Sequence, residues 1–127
     1  MNVLDENIPK PQRERLEGWR VAVRQIGAGI GRRGLLDDEI ITLLHGLRRP
    51  TFFTRDDDFY ELHLCHIRYC LVYLDVEKSE TAWFVRRFLR HSDFNTQVKR
   101  MDKVIRVSRV GISFWERHQA KQQHEWS

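Results

Sequence analysis

The sequence predicts a single α/β domain in which a central, mainly parallel sheet is flanked by helices. Short apolar β-type runs alternate with amphipathic helical segments, which is typical of βαβ units. Several of these runs pass directly into acidic residues. A chain of 127 residues that is 41% hydrophobic and 31% charged can bury a core of its own. We expect this domain to span residues 1–116 and to be followed by a polar, flexible tail over 117–127.

The stretch from Thr51 to Tyr60 is the predicted centre of the domain. Its apolar beginning is a strand, and Asp56, Asp57 and Asp58 follow directly.

Two other strands have the same design. The opening run, Asn2 to Leu4, leads into Asp5 and Glu6, and a run over 71–74 ends at Asp75. The C-terminal ends of parallel strands and the N-termini of the connecting helices lie at one edge of a sheet, where ligands bind. We therefore expect these acids to share one crevice with the acids that begin the helix at residue 37.

The remaining elements follow from apolar periodicity and from helix start and stop signals. They are a short helix over 11–18, a strand over 21–23, a helix over 37–47, a short helix over 57–64, a helix over 79–91, a short helix over 93–101, and two paired strands over 104–107 and 112–115. The helix over 37–47 is the clearest, because Ile40, Leu43, Leu44 and Leu47 form one apolar stripe. One of its three leading acids is expected only to cap the helix.

Two carboxylates 4 Å apart repel one another by roughly 4 kcal/mol at an effective dielectric constant near 20, so acids that share one crevice need a compensating charge. Hard divalent cations such as Mg²⁺ or Mn²⁺ neutralise such clusters through oxygen ligands. The chain as a whole carries a formal charge of +4. An acidic pocket within a basic surface suits a polyanionic substrate that is brought to a metal site, although a solvated basic face is an equal alternative.

Two other patterns suggest different sites. Gly29, Gly31 and Gly34 have the spacing of a dinucleotide-binding loop. The alternative interpretation is a flexible loop whose glycines adopt positive φ. Four residues of the types that bind zinc lie close together in the sequence, namely His63, Cys65, His66 and Cys70. The alternative interpretation is that the two cysteines are buried structural residues of a protein in a reducing compartment.

Three short motifs together resemble the compact PIN-like domains, which are relatives of VapC toxin ribonucleases and of the C-terminal domain of Mut-7-type exonucleases. The motifs are the opening Val3 to Pro9, the helix start Leu36 to Ile41, and the stretch from Thr54 to Phe59. The resemblance implies a parallel sheet between helices, an acidic metal site at the strand ends, and nuclease activity, typically on RNA.

The resemblance also implies a role for each matching residue. Asp5, Asp37, Asp56 and Asp58 correspond to the catalytic, metal-binding acids, and Asp38 is an alternative ligand beside Asp37. Supporting roles fall to Thr54, by a hydrogen bond to the acids, and to Glu6 and Asn7. Arg32, Arg33 and Arg55 flank this edge in sequence and are candidates to contact RNA phosphates.

From these residues we expect a ribonuclease that depends on Mg²⁺ or Mn²⁺ and hydrolyses phosphodiester bonds in RNA. Because relatives of toxin ribonucleases usually pair with an antitoxin, the resemblance implies an antitoxin protein as a candidate partner. Formation of a homodimer is left open. The absence of a long apolar run leads us to expect a cytoplasmic protein without membrane contact. A PIN-like scaffold that binds RNA or a protein without cutting, through an exposed aromatic such as Trp115 or Trp126, is the second hypothesis. A receiver-like phosphoacceptor is the third, and the three consecutive aspartates fit it poorly.

Overall fold

The computed structural model describes residues 1–126, which form one sheet with helices on both faces. The strands are β1 (Asn2–Leu4), β2 (Arg24–Gln25), β3 (Thr51–Thr54), β4 (Cys70–Asp75), β5 (Lys103–Ser108), β6 (Gly111–Glu116) and β7 (Gln122–Glu125). The α-helices are α1 (Lys10–Gly18), α2 (Asp37–His45), α3 (Thr81–Leu89) and α4 (Gln97–Arg100), and 3-10 turns span Asp57–Phe59, Leu62–Leu64 and Lys78–Glu80.

The strand order is β2-β1-β3-β4-β5-β6-β7. All neighbours from β2 to β5 are parallel, whereas β6 pairs antiparallel with both β5 and β7. The predicted α/β class and the mainly parallel sheet are therefore confirmed. Leu4 is in register with Phe53, so the chain leaves β1 and β3 at the same edge of the sheet.

Alternation along the strands divides the core between the two faces of the sheet. Phe53 points into the layer that Leu16 of α1 and Phe88 of α3 complete, and all three are fully buried. Phe52 points to the opposite face, against Leu44 of α2. Burying a phenylalanine side chain stabilises the fold by about 1.5–3 kcal/mol. Because Phe52 and Phe53 are buried on opposite faces of the sheet, the orientation of β3, and with it the position of the acids that follow, is fixed.

Two of the predicted elements are wrong in position or type. The strand expected over 21–23 lies at 24–25, because Val21 closes the turn after α1 by donating its N–H to the Leu16 carbonyl. The helix expected over 57–64 is two 3-10 turns, the first begun by an Asp56 side chain that accepts from the Asp58 N–H. Phe59 in the first turn is buried, whereas Leu62 in the second is 48% exposed.

The glycine loop after β2 is a turn with positive φ at Gly27, Gly29, Gly31 and Gly34. The helix that follows begins only at residue 37, so the N-terminus of α2 lies outside the glycine motif. A dinucleotide loop opens its helix within the motif, so the loop interpretation is the better one.

The segment predicted as a flexible tail instead contributes the last strand of the sheet. Strand β7 pairs with β6, His124 stacks on Phe114 at a centroid distance of 5.6 Å, and the indole nitrogen of Trp126 donates to the Ser108 carbonyl across 2.6 Å. The sheet thus extends beyond residue 116, and Ser127 lies outside the described residues. No helix within 1–126 has the length and apolar character needed to cross a bilayer.

Candidate metal centre

The end of β1 and the end of β3 are joined by one buried hydroxyl. Thr54 Oγ1 donates to Oδ2 of Asp5 across 2.7 Å and accepts from the N–H of Asp56 at 3.0 Å. Thr54 is fully buried and Asp5 is 6% exposed. The supporting hydrogen bond expected of Thr54 is therefore present, and it fixes the Asp5 carboxylate beside the backbone that leads into the acidic turn.

Three of the predicted acids converge next to this pair. Asp37, at the first turn of α2, and Asp56 and Asp58, after β3, each present a carboxylate oxygen within 4.8 Å of the other two. An Asp56 oxygen accepts from the Asp58 N–H at 2.9 Å, so the turn itself orients the Asp56 carboxylate. Asp5 is outside this group of three but near enough to act on it electrostatically.

The electrostatics of the cluster match its geometry. Burial raises the pKa of Asp5, an effect that the Thr54 hydrogen bond opposes. Partial desolvation, and then repulsion by Asp56 and Asp58, raise the pKa of Asp37. Both shifts mean that the folded protein carries these negative charges at a cost, which a bound cation would relieve.

The structure separates the three acids at the head of α2. Glu39 accepts from the Leu36 N–H at 2.9 Å and pairs with Arg32, so it is the capping acid that was expected. Asp38 is exposed, accepts from the Glu39 N–H at 3.0 Å, and is not part of the converging group. Asp37, rather than Asp38, therefore belongs to the group of acids that could hold a cation.

The loop after β1 is held by contacts that sequence reasoning missed. Gln25 is buried, and its amide nitrogen donates to the carbonyls of Asp5 and Ile8 at 3.0 and 2.8 Å. Glu6 accepts from the Gly34 N–H at 2.9 Å and so fastens this loop to the glycine turn, whereas Asn7 is exposed. A glutamine in a two-residue strand carries no sequence signal, because its partners are backbone carbonyls about 20 residues away.

Two of the three arginines predicted to hold phosphates, Arg55 and Arg32, have other partners in the structure. Arg55 donates through Nε and Nη2 to the Val76 carbonyl, at 3.2 and 3.0 Å, and so ties β3 to the end of β4. Arg32 forms an exposed ion pair with Glu39. Arg33 packs beside Gly27 and lines an open cleft of about 400 Å³ together with Glu6 and Asn7.

The acid after β4 does not join the crevice, which corrects the expectation that every acidic strand end meets there. Asp75 pairs with Arg106 of the adjacent strand β5, which lies opposite Tyr73, and so its charge is already balanced. Glu80 pairs with Arg109.

The zinc alternative has no support in the described part of the chain. Cys65 and Cys70 are free and buried, and within 1–126 the three aspartates are the only group of acid, cysteine or histidine side chains with converging ligand atoms. The donor set is entirely oxygen, which Mg²⁺ and Mn²⁺ prefer and zinc does not require. Ligand oxygens around a six-coordinate Mg²⁺ lie about 3–4.2 Å apart, so the observed spacing needs only a small closure.

Comparisons with other proteins add no family assignment. No protein-family model matches the chain. No characterised protein and no solved structure matches it either.

Proposed function

We propose that this protein is a PIN-like ribonuclease that uses Mg²⁺ or Mn²⁺ to hydrolyse phosphodiester bonds in RNA. The observation that carries the proposal is the convergence of Asp37, Asp56 and Asp58 beside the buried Asp5–Thr54 pair. These acids come from three separate chain segments and meet at the edge of the sheet where ligands of α/β proteins bind. The motifs that resemble PIN-like domains contribute the same residues.

Asp37, Asp56 and Asp58 would hold the cation, with Asp5 adding negative charge from its buried position. The bound cation would lower the pKa of a water molecule and stabilise the charge that develops on the attacked phosphate.

The protein's own contribution is to fix these acids before substrate arrives. Thr54 fixes Asp5, the Asp58 N–H fixes Asp56, and the first turn of α2 fixes Asp37. All three supports are hydrogen bonds or helix geometry within the rigid sheet edge, so little reorganisation is left to the reaction.

Cleavage of a labelled single-stranded RNA tests the proposal. The purified protein is incubated with Mn²⁺ or Mg²⁺ and, separately, with EDTA, and Asp56→Asn is compared with Asp57→Asn. Asp57 is the matched control because it is the exposed neighbour that lies outside the converging group. We expect metal-dependent cleavage that Asp56→Asn reduces at least about 100-fold and that Asp57→Asn leaves within about threefold.

Equal activity in the two variants, both folded, would show that the acids have been assigned wrongly. RNA binding without metal-dependent cleavage would favour the non-catalytic scaffold. Trp115 and Trp126, suggested for a scaffold contact, are half-buried: Trp115 lies under Tyr60 and Lys121, and Trp126 packs on the core.

A further inference from the structure

Helix α3 carries a row of basic side chains that the metal centre does not use. Trp83, Arg86, Arg87 and Arg90 follow one another at helical spacing, and Trp83 is 45% exposed. Two further indoles, Trp19 after α1 and Trp126 after β7, lie beside this row. We call these six side chains the arginine–tryptophan surface.

Two of the three guanidinium groups of this surface, those of Arg86 and Arg87, lie over indole rings. The Arg86 guanidinium carbon is 3.6 Å from the Trp19 ring centroid. That of Arg87 lies 4.3 Å from the Trp126 centroid and 5.1 Å from the Trp83 centroid. Stacking of this kind holds a guanidinium in one orientation while its N–H groups remain free to donate at the edge.

The positive charge of the surface is not balanced locally. Within residues 1–126, Arg86, Arg87 and Arg90 form no ion pair with a carboxylate and donate no side-chain hydrogen bond, whereas Arg106, Arg109 and Arg117 are all paired with acids. Three uncompensated guanidinium groups, two of them oriented by indole rings, are complementary to a chain of phosphates.

The surface also begins at the edge of the sheet that carries the metal centre. Helix α3 follows β4, so its N-terminus is at the C-terminal edge, and the Ala82 N–H donates to Gln12, in the helix that follows β1. Trp83 is therefore the end nearest the acids, and Arg90 lies about 10 Å farther along the helix axis. Along the helix axis, the indole therefore lies nearer to this edge of the sheet than the arginines do.

We infer that the arginine–tryptophan surface binds single-stranded RNA, with phosphates on the arginines and a base stacked on Trp83. The inference rests on the proposed function for the identity of the nucleic acid, and it adds the substrate class, a flexible single strand. Base stacking on an exposed aromatic ring requires an unpaired base, which a duplex does not offer.

The test measures binding without cleavage. Fluorescence anisotropy of a labelled single-stranded RNA is recorded in EDTA with Asp56→Asn as the background protein. Arg86→Gln/Arg87→Gln is compared with Arg48→Gln/Arg49→Gln, which removes the same charge from an exposed turn on another part of the chain. We expect the first pair to weaken binding about tenfold or more and the control pair to weaken it less than about threefold.

Two further measurements separate charge from stacking. The slope of log affinity against log salt should decrease by about 1.4 in magnitude when two phosphate contacts are lost. Trp83→Ala should weaken binding of the single strand about fivefold or more and leave binding of a duplex of equal length unchanged. Because Arg86 covers Trp19, Arg87→Gln/Arg90→Gln serves as a second pair that leaves this stack in place.

Equal loss in the α3 and control pairs, or equal loss of single-strand and duplex binding in Trp83→Ala, would overturn the inference. Competition by polyglutamate as effective as competition by RNA would also overturn it and indicate an acidic protein partner. Binding that follows the expected pattern, in a protein that cuts no RNA with metal, would sustain the surface while the proposed catalytic function fails. Metal-dependent cleavage, together with an equal loss of RNA binding in the α3 pair and the control pair, would support the proposed catalytic function and overturn the inference about the surface.

Discussion

The Thr54 hydroxyl donates to the Asp5 carboxylate across 2.7 Å, and both side chains are buried. The same hydroxyl accepts from the Asp56 N–H, so one oxygen atom couples the ends of two strands to the acidic turn. Removing this atom without changing the side-chain volume is the most direct probe of the site.

Thr54→Val should lower the free energy of unfolding by about 1–3 kcal/mol, because it leaves a buried carboxylate oxygen and a backbone N–H without partners. It should also reduce RNA cleavage, since Asp5 loses the contact that opposes its raised pKa. Urea denaturation and initial cleavage rates measure the two effects. Thr54→Ser keeps the hydroxyl and should retain activity, losing about 1 kcal/mol for the buried methyl group. A Val variant as stable and active as the Ser variant would show that the bond has no such role.

Divalent cations should stabilise the protein through the three converging acids. At 100 times its Kd, Mn²⁺ or Mg²⁺ should add about 2.7 kcal/mol to the free energy of unfolding. Asp37→Asn should abolish most of this gain. In EDTA it should make the protein more stable, because desolvation, and then repulsion from Asp56 and Asp58, raise the pKa of Asp37 in the folded state. Thermal unfolding with and without metal measures both effects. Asp38→Asn is the control, and an equal loss of metal response in this variant would contradict the assignment.

Cys70 should make stability depend on alkaline pH. Complete burial raises the pKa of its thiol from 9.0 to about 12. Above pH 9 the unfolded chain releases this proton and the folded chain does not, so stability falls as pH rises. Between pH 8 and pH 10 the wild type should lose about 1.4 kcal/mol more than Cys70→Ala. Denaturation at the two pH values gives the difference, and parallel losses would mean that the thiol ionises freely in the folded protein.

Gly111→Ala should detach the last strand. A β-carbon at this position would overlap the carbonyl oxygen of His124 in β7, and neither backbone can move without breaking the pairing. We expect amide exchange to accelerate at residues 122–125 and the melting temperature to fall. Gly18→Ala provides the comparison, because no heavy atom lies within 4 Å of the added carbon and Ala favours the helix by up to about 1 kcal/mol. Unchanged protection of β7 in Gly111→Ala would show that its pairing with β6 does not need the glycine.

Local sequence patterns determined the α/β class and most of the elements. The apolar stripe of α2 and the buried run of β3 are set by periodicity, and each leads to or from acids whose positions follow from strand and helix geometry. That is why Asp37, Asp56 and Asp58 could be predicted to meet, and why one of the three acids that begin α2 was expected to cap the helix, a role that the structure gives to Glu39.

Only the tertiary structure decided which charges are left uncompensated. Asp75 is neutralised by Arg106 from the neighbouring strand, and Arg55 is bound to a carbonyl of the β4 end, whereas the arginines of α3 are stacked on indoles from distant segments. Strand β7 is polar and forms because β6 offers it an open edge and Phe114 offers His124 a ring to stack on. These outcomes depend on partners far apart in the chain, and no local periodicity encodes such partners.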